Sequence, residues 1–311
     1  MSTSLPLSFL VPVLVLLQPP ARPELEIAPT PRAVVPKPTN KDVVIPRRHA
    51  LILCGHPGDA EHTKTFSDTV RKLGEGLEKT VGVPPERRHV VFGADQPKDI
   101  DGATGPATRQ AVVAAVKAVK KELRPEDGLW VVCLGHGYFD GKKAWWNLPG
   151  PDIDAAEFGK LFSDVTCREQ VFMMTFSLSG YFVPPLARRD RVVIAATEAD
   201  SEPNETTFPT VFAKILAAGL DAEHDVDKDG KLTLLDLYVV VAKEIAQNYA
   251  SAEQLATEHP QLDDDGDGIG HELQNAYLPV DQGGTPPGTK PNRRPHRDGV
   301  RAAQIPLLVK E

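Results

Sequence analysis

The sequence predicts an α/β three-layer sandwich with a mainly parallel, doubly wound sheet, and a helix–loop–helix unit near its C-terminal side. Three observations carry that prediction. Runs such as "ALILC" (Ala50–Cys54) are continuously apolar rather than alternating, as strands buried on both faces require. Between the runs, apolar residues return at steps of three and four, which is one face of a helix. Runs and stripes alternate along the chain, the order that joins parallel strands by crossover helices.

The first residues form an apolar stretch, Leu5 to Leu17, interrupted by two prolines and a serine. It is shorter than the roughly 20 residues a membrane span needs, so residues 1–21 are expected to be a signal peptide or an N-terminal anchor, and the chain to be exported or held at the membrane. No lysine or arginine precedes the stretch, and Ala21 is the nearest small residue for cleavage. Residues 22–47 are proline-rich and without period, an extended linker. The domain is expected over 48–278.

Ala50–Cys54 is the first strand, and Phe66, Val70, Leu73, Leu77 and Val81 are the apolar stripe of the helix after it. His89–Phe92 is the second strand, and Val112, Val116, Val119 and Leu123 mark the next helix. Leu129–Leu134, Val171–Phe176 and Val192–Ala196 complete five strands. Phe208–Leu220 and Leu234–Tyr249 are helices flanking an acidic loop. Residues 279–311 begin as a Pro/Gly/Arg-rich tail, and the closing "VRAAQIPLLV" is apolar enough to dock on the domain.

The composition is that of a folded soluble protein: 41% hydrophobic and 25% charged over 311 residues. A net charge of −8, without a Lys/Arg-rich run, argues against a nucleic-acid partner. Three cysteines make no disulfide framework, and Cys54 and Cys133 lie inside apolar runs as small buried hydrophobes. Cys54 ends the first strand, so a displaced nucleophile there is the alternative.

In open α/β sheets ligands bind outside the carboxyl ends of the strands, so the loops after the third and fourth strands are where chemistry is expected. The third ends in "LGHGYFDG", with His136 between two glycines and the Gly137 N–H available as an oxyanion donor. The fourth runs into "TFSLSG", with hydroxyls at Thr175, Ser177 and Ser179. A histidine and a hydroxyl on neighbouring strand ends can act as base and nucleophile, or serve only to cap and turn the loops.

"WVVCLGHG" and "VFMMTFS" together resemble the caspase, legumain and gingipain clan of cysteine peptidases, whose legumain branch is the peptidase C13-like group. The resemblance puts His136 in the place of the catalytic histidine and Ser177 in the place of the cysteine; Thr175 stands where an acidic or amide residue is usual. The segments "WNLPGPDIDAAEF", "RVVIAATEA", "NETTF" and "EHPQLDDDGDG" resemble a subgroup of exported bacterial proteins in which the cysteine position is often Ser or another small residue. It covers roughly Arg48 to Gly270. It implies a caspase/legumain-like fold and a pseudoenzyme: a thiol with a pKa of about 8.5 is ionised by a nearby imidazolium, whereas a serine needs a directly bonded, oriented base. Asp140 is the carboxylate that could orient His136 in an active hydrolase, and a purely structural envelope protein is the third reading. The cleft would then serve an unknown peptide or protein ligand. Asn204 satisfies a glycosylation sequon, to which a bacterial protein attaches no function.

"DVDKDGKLTLLD" has EF-hand loop spacing: Asp225, Asp227 and Asp229 at positions one, three and five, Gly230 at six, the Lys231 carbonyl at seven, Thr233 at nine and Asp236 at twelve. The expected cofactor is Ca²⁺, bound weakly because Asp replaces the bidentate Glu of position twelve. The alternative is an acidic turn that caps the following helix. "DDDGDGIGHE" repeats the spacing at Asp263, Asp265 and Asp267, with Gln274 at position twelve, as a possible second cation site or a solvated acidic turn.

Overall fold

The structure, a computed structural model, describes residues 44–93, 100, 102–199, 204–282, 284–286 and 297–309. The apolar stretch Leu5–Leu17 and residues 22–43 of the proline-rich linker lie outside the described residues. Among those described, no helix is long and apolar enough to cross a membrane.

In chain order the strands and helices are β1 (Arg48–Cys54), α1 (Ala60–Gly76), β2 (Arg88–Phe92), β3 (Ala103–Thr104), α2 (Arg109–Glu122), β4 (Gly128–Leu134), β5 (Gly137–Phe139), β6 (Ala144–Trp146), β7 (Ile153–Asp154), α3 (Ala155–Leu161), β8 (Glu169–Met174), α4 (Val183–Leu186), β9 (Val192–Ala195), α5 (Phe208–Ala218), α6 (Leu234–Ser251) and β10 (Gln261–Asp263). Every residue of β1, β4, β8 and β9 is buried, which is why most of their length reads as apolar runs, although Arg48, His49, Glu169 and Gln170 at the starts of β1 and β8 are polar.

The main sheet has the order β10-β9-β8-β4-β1-β2-β3, parallel throughout except for β10 against β9. Alternate side chains serve two cores. Ala50, Ile52, Trp130, Val132, Val171 and Met173 face α1, α5 and α6. Leu51, Leu53, Val131, Cys133, Phe172 and Met174 face α2, α3 and α4. This is the three-layer α/β sandwich with a mainly parallel, doubly wound sheet that the pattern predicts.

The structure departs from the sequence reading in several places, among them β3 and β10, two further strands at the edges of the main sheet. Strand β8 ends at Met174, so Thr175 and Phe176 belong to the loop. A second sheet, β5-β6-β7, projects from the end of β4. The chain winds outward from β1 to β2 and β3, then returns to the other side of β1 with β4, β8 and β9. The reversal puts the switch point between β1 and β4, beside the loops that begin at Gly55 and Gly135. These loops are packed hard. Trp146 Nε1 donates to the Leu134 carbonyl at 3.0 Å, and a methyl group on Gly135, whose φ is +137°, would lie 2.8 Å from that same nitrogen. The closing segment is part of the core, with Ala302, Ile305 and Leu307 buried.

Candidate functional site

The turn after β4 brings His136 to the rim, half-exposed, with its carbonyl held by the Asn147 amide at 2.9 Å. Its Nε2 lies 3.1 Å from the Pro57 carbonyl. A carbonyl only accepts, so Nε2 carries the proton and donates. The lone pair a general base needs is then on Nδ1, which makes no hydrogen bond to Ser177.

Ser177 is 7% exposed and turned toward the backbone of Gly137. Its Oγ accepts from the Gly137 amide and donates to the Gly137 carbonyl, each at 3.3 Å. The structure therefore brings position 177 beside the His136 turn but hydrogen-bonds neither side chain to the other. The Gly137 N–H, expected to stand free as an oxyanion donor, is spent on the serine. Asp140, expected as a possible orienter of His136, accepts from the Lys142 and Lys143 amides at 2.8 Å and from Trp145 Nε1 at 2.8 Å. It shapes the β5–β6 hairpin.

The other hydroxyls are also committed. Thr175 Oγ1 donates to the Cys133 carbonyl at 2.7 Å. Ser179 Oγ accepts from the Ala196 and Thr197 amides at 3.0 and 3.2 Å, tying the loop to the end of β9. Phe176 is fully buried and stacks on Trp146, and Tyr181 stacks on Phe139 with centroids 4.8 Å apart. Between these residues Leu178, 1% exposed, has φ +62°, a strained backbone for a branched side chain.

All three cysteines are buried and free among the described residues. Burial pushes the Cys54 and Cys133 thiols far up and Cys167 up to about 11. None is a thiolate at neutral pH, so Cys54 is a core residue and no displaced nucleophile.

One rim residue escaped the sequence reading. His62, on the first turn of α1, stands edge-on to His136 with ring centroids 5.0 Å apart. Its Nδ1 is 2.9 Å from Asp59 Oδ1 and its Nε2 3.1 Å from Glu205 Oε1. The bond to Asp59, with a further one to Glu205, holds its pKa above the ordinary histidine value. The signal in the sequence was local only: Asp59 is the N-cap of α1, accepting from the His62 amide at 2.8 Å.

The acidic loop between α5 and α6 is a separate candidate site. Asp225, Asp227 and Asp229 each bring a carboxylate oxygen within 4.8 Å of the other two. Asp225 is 1% exposed; its Oδ2 accepts from the Gly230 amide at 3.1 Å, while its buried Oδ1 accepts no hydrogen bond. Gly230 has φ +81°, the left-handed turn that lets the loop fold back on Asp225. Burial, then the charges of Asp229 and Asp225, hold the Asp227 carboxyl above its usual range. Lys231 Nζ lies 3.8 Å from Asp229 Oδ2, and Lys228 Nζ donates to the Asp225 carbonyl.

Asp236 does not join this cluster. Its Oδ1 accepts from the Val226 amide at 2.8 Å, and its Oδ2 from the Thr233 amide at 2.9 Å and the Thr233 hydroxyl at 2.8 Å. Thr233 and Asp236 together form the capping box of α6.

The second acidic loop repeats the first bond for bond. Asp263 Oδ2 accepts from the Gly268 amide at 2.7 Å, the Asp267 amide donates to Asp265 Oδ1, and the Ile269 amide to Asp267 Oδ1. In the first loop the matching donors are Gly230, Asp229 and Lys231. The difference lies in the buried carboxylate. Asp263 Oδ1 accepts from Gly266, so each of its oxygens takes an amide, although Asp263, Asp265 and Asp267 also bring carboxylate oxygens within 4.8 Å of one another. Gln274, at position twelve, bonds Tyr238 and the Pro260 carbonyl instead of turning to the loop.

No family model and no curated protein matches the sequence. Solved structures do. The chain is similar to a secreted C11 cysteine protease from Bacteroides thetaiotaomicron, in complex with an irreversible peptide inhibitor, at 18% identity and a TM-score of 0.31, over 54% of this chain and 53% of that one. It thus spans about half the length of that protease. It is also similar to the Drosophila initiator caspase Dronc, at 12% identity and a TM-score of 0.39, over 73% of this chain and 82% of that one. The fold class itself stands on this chain's own strand order and hydrogen bonding.

Proposed function

We propose that this chain is a calcium-binding protein on a caspase/legumain-like domain whose strand-end cleft is non-catalytic. The observation that carries the calcium assignment is Asp225 Oδ1: a carboxylate oxygen buried without a partner, in a residue that converges with two further aspartates. A buried carboxylate left unpaired is costly, and a bound cation removes that cost. The donors are all oxygens: three carboxylates and the Lys231 carbonyl, a set that suits a hard cation. With Asp236 serving as a helix cap, fewer oxygens remain for the metal, which supports affinity in the weak range of about 10⁻⁵ to 10⁻³ M. Titration calorimetry on wild type against Asp225→Asn with Asp229→Asn tests the assignment. Equal heats in the two proteins would end it.

The non-catalytic reading is supported by the commitment of the Ser177 hydroxyl to Gly137, which leaves it without a hydrogen bond to His136. One observation favours the opposite reading, an active hydrolase using His136 and Ser177: the strained backbone of Leu178 directly after the serine, a feature that clusters at functional sites. Ester and peptide hydrolysis by wild type, lost in Ser177→Ala, would replace the first reading by the second. The export proposal rests on the Leu5–Leu17 stretch. Recovery of the tagged protein wholly from the cytosol would refute it.

A further inference from the structure

The exit of the Asp225 loop is not finished by the loop itself. At position eight stands Leu232, fully buried, whose carbonyl accepts from the Leu307 amide at 2.9 Å. Two residues on, the Leu234 amide donates to the Ile305 carbonyl at 2.9 Å, and Thr233 and Pro306 form an antiparallel bridge. The loop thus leaves as one side of a short ladder whose other side comes from the C-terminal segment, residues 297–309.

That segment is anchored elsewhere by different means. Asp298 Oδ1 accepts from the Asp264 and Asp265 amides at 2.9 and 3.3 Å, and Asp264 in turn accepts from the Gly299 and Ala302 amides at 3.0 and 2.7 Å. Beyond the ladder, Pro306 accepts from Arg48 Nη2 at 2.9 Å and the Leu308 amide donates to the Thr80 carbonyl at 2.8 Å. The segment runs from the second acidic loop, past the first, to the end of the main sheet where β1 begins.

We infer that residues 297–309 are a strap whose docking is coupled to cation occupancy of the Asp225 loop, each strengthening the other. The inference rests on the calcium reading above. The coupling follows from adjacency in the chain: the Lys231 carbonyl, the position-seven oxygen, belongs to the residue before Leu232, whose carbonyl holds the strap. A cation that fixes Asp225 through Lys231 fixes the acceptor of the ladder. A docked strap fixes the loop exit in turn and lowers the ordering a cation must impose. Linkage makes the effect reciprocal.

The test combines calorimetry with amide hydrogen exchange on the full chain, with and without calcium. Calcium is expected to slow exchange at the Leu307 and Leu234 amides by at least about five-fold in wild type, the lower end of ordinary coupling, and not in Asp225→Asn with Asp229→Asn. Reciprocally, Ile305→Ala, which trims a strap anchor without touching a carboxylate, is expected to weaken the calcium dissociation constant by a similar factor. Calcium heat with unchanged exchange at Leu307 and unchanged affinity in Ile305→Ala overturns the strap and leaves the cation site standing. Slowed exchange at Leu307 that persists in the double Asp→Asn protein also overturns it, since the effect would then come from another site. No calcium heat at all overturns site and strap together.

Discussion

Gly137→Ala probes whether Ser177 is held by the turn after β4. A methyl group on Gly137 would lie 2.5 Å from the Ser177 carbonyl, 3.0 Å from Phe176 Cδ2 and 3.2 Å from the Trp145 carbonyl. Two of those three atoms are backbone, and the third belongs to a ring packed against Trp146 and Phe182, so no flexible side chain can swing aside. Relief requires the β5 backbone to part from residue 177. Overpacking of this kind costs about 1–3 kcal/mol. The parting also lengthens both 3.3 Å bonds between Ser177 Oγ and Gly137, which are longer than ideal and worth at most about 1 kcal/mol each. The expected loss is therefore about 1–5 kcal/mol, or a fall in Tm of very roughly 2–20 °C for a domain of this size. Urea unfolding followed by tryptophan fluorescence reads it, Trp145 and Trp146 lying on the adjacent strand β6. Ser177→Ala, which removes only the two long bonds, should cost no more than about 1–2 kcal/mol. If Gly137→Ala costs less than Ser177→Ala, the two backbones are not in contact and the sequestration of Ser177 is wrong.

Calcium at a hundred times its dissociation constant should stabilise wild type by about 2.7 kcal/mol, raising Tm by roughly 5–11 °C, with no rise in Asp225→Asn with Asp229→Asn. An equal rise in both proteins would move the effect to another site. Ser177→Cys should gain covalent labelling by an electrophilic peptide probe, and His136→Ala in that background should remove it; labelling that survives the loss of His136 would separate the two positions chemically. The His62 imidazole should titrate above about 6.5 in an NMR series, with Asp59→Asn lowering the midpoint more than Glu205→Gln, since the bond to Asp59 is the larger cause. The sign follows from a raised folded-state pKa: the stabilisation is complete below about 6.5 and is lost as pH rises through the folded value. A wild-type midpoint at or below 6.5 would break the argument.

The long strands were legible through their apolar stretches, "ALILC" and "LWVVCL", which are buried on both faces; the polar Arg48 and His49 that open β1 are buried too and were not read as strand. The small sheet was not. Its strands are three, three and two residues long, too short for any period to register. Strand β10 hid for a related reason, since "QLD" ends in Asp263, and its pairing with β9 is a matter of tertiary placement. In the acidic loop the pattern carried two readings at once. "TLLD" is both the end of a cation loop and a capping box, and the structure uses Thr233 and Asp236 as the box while leaving Asp225, Asp227 and Asp229 to converge. His62 could not have been found by spacing, because its meeting with His136 joins α1 to the end of β4 across a gap in sequence that no local rule spans.

The two candidate sites differ in what their polar atoms have left to do. At the strand ends, the side-chain oxygens of Thr175, Ser177, Ser179 and Asp140 all bond within the protein and His136 donates to a carbonyl, while Asn147 Oδ1 and Thr197 Oγ1 are buried without a partner. Bonds that satisfy these groups also fix them, so a substrate would have to displace each one before it could use it. At the acidic loop the atom without a partner is a carboxylate oxygen among like charges. Backbone amides take one oxygen of Asp225 and one each of Asp227 and Asp229, which aims the three carboxylates together while leaving Asp225 Oδ1 buried and unspent. Like charges held that close oppose folding unless something positive joins them, and Lys231, at 3.8 Å from Asp229, meets that need only at the edge. That cost is what supports the proposal of a cation at this loop. The second loop, with the same backbone bonds but with both oxygens of Asp263 taken by Gly266 and Gly268, lacks the unspent atom. Cation affinity measured loop by loop should therefore follow Asp225 and not the count of aspartates: Asp225→Asn is expected to remove most of the calcium heat, and Asp263→Asn little of it.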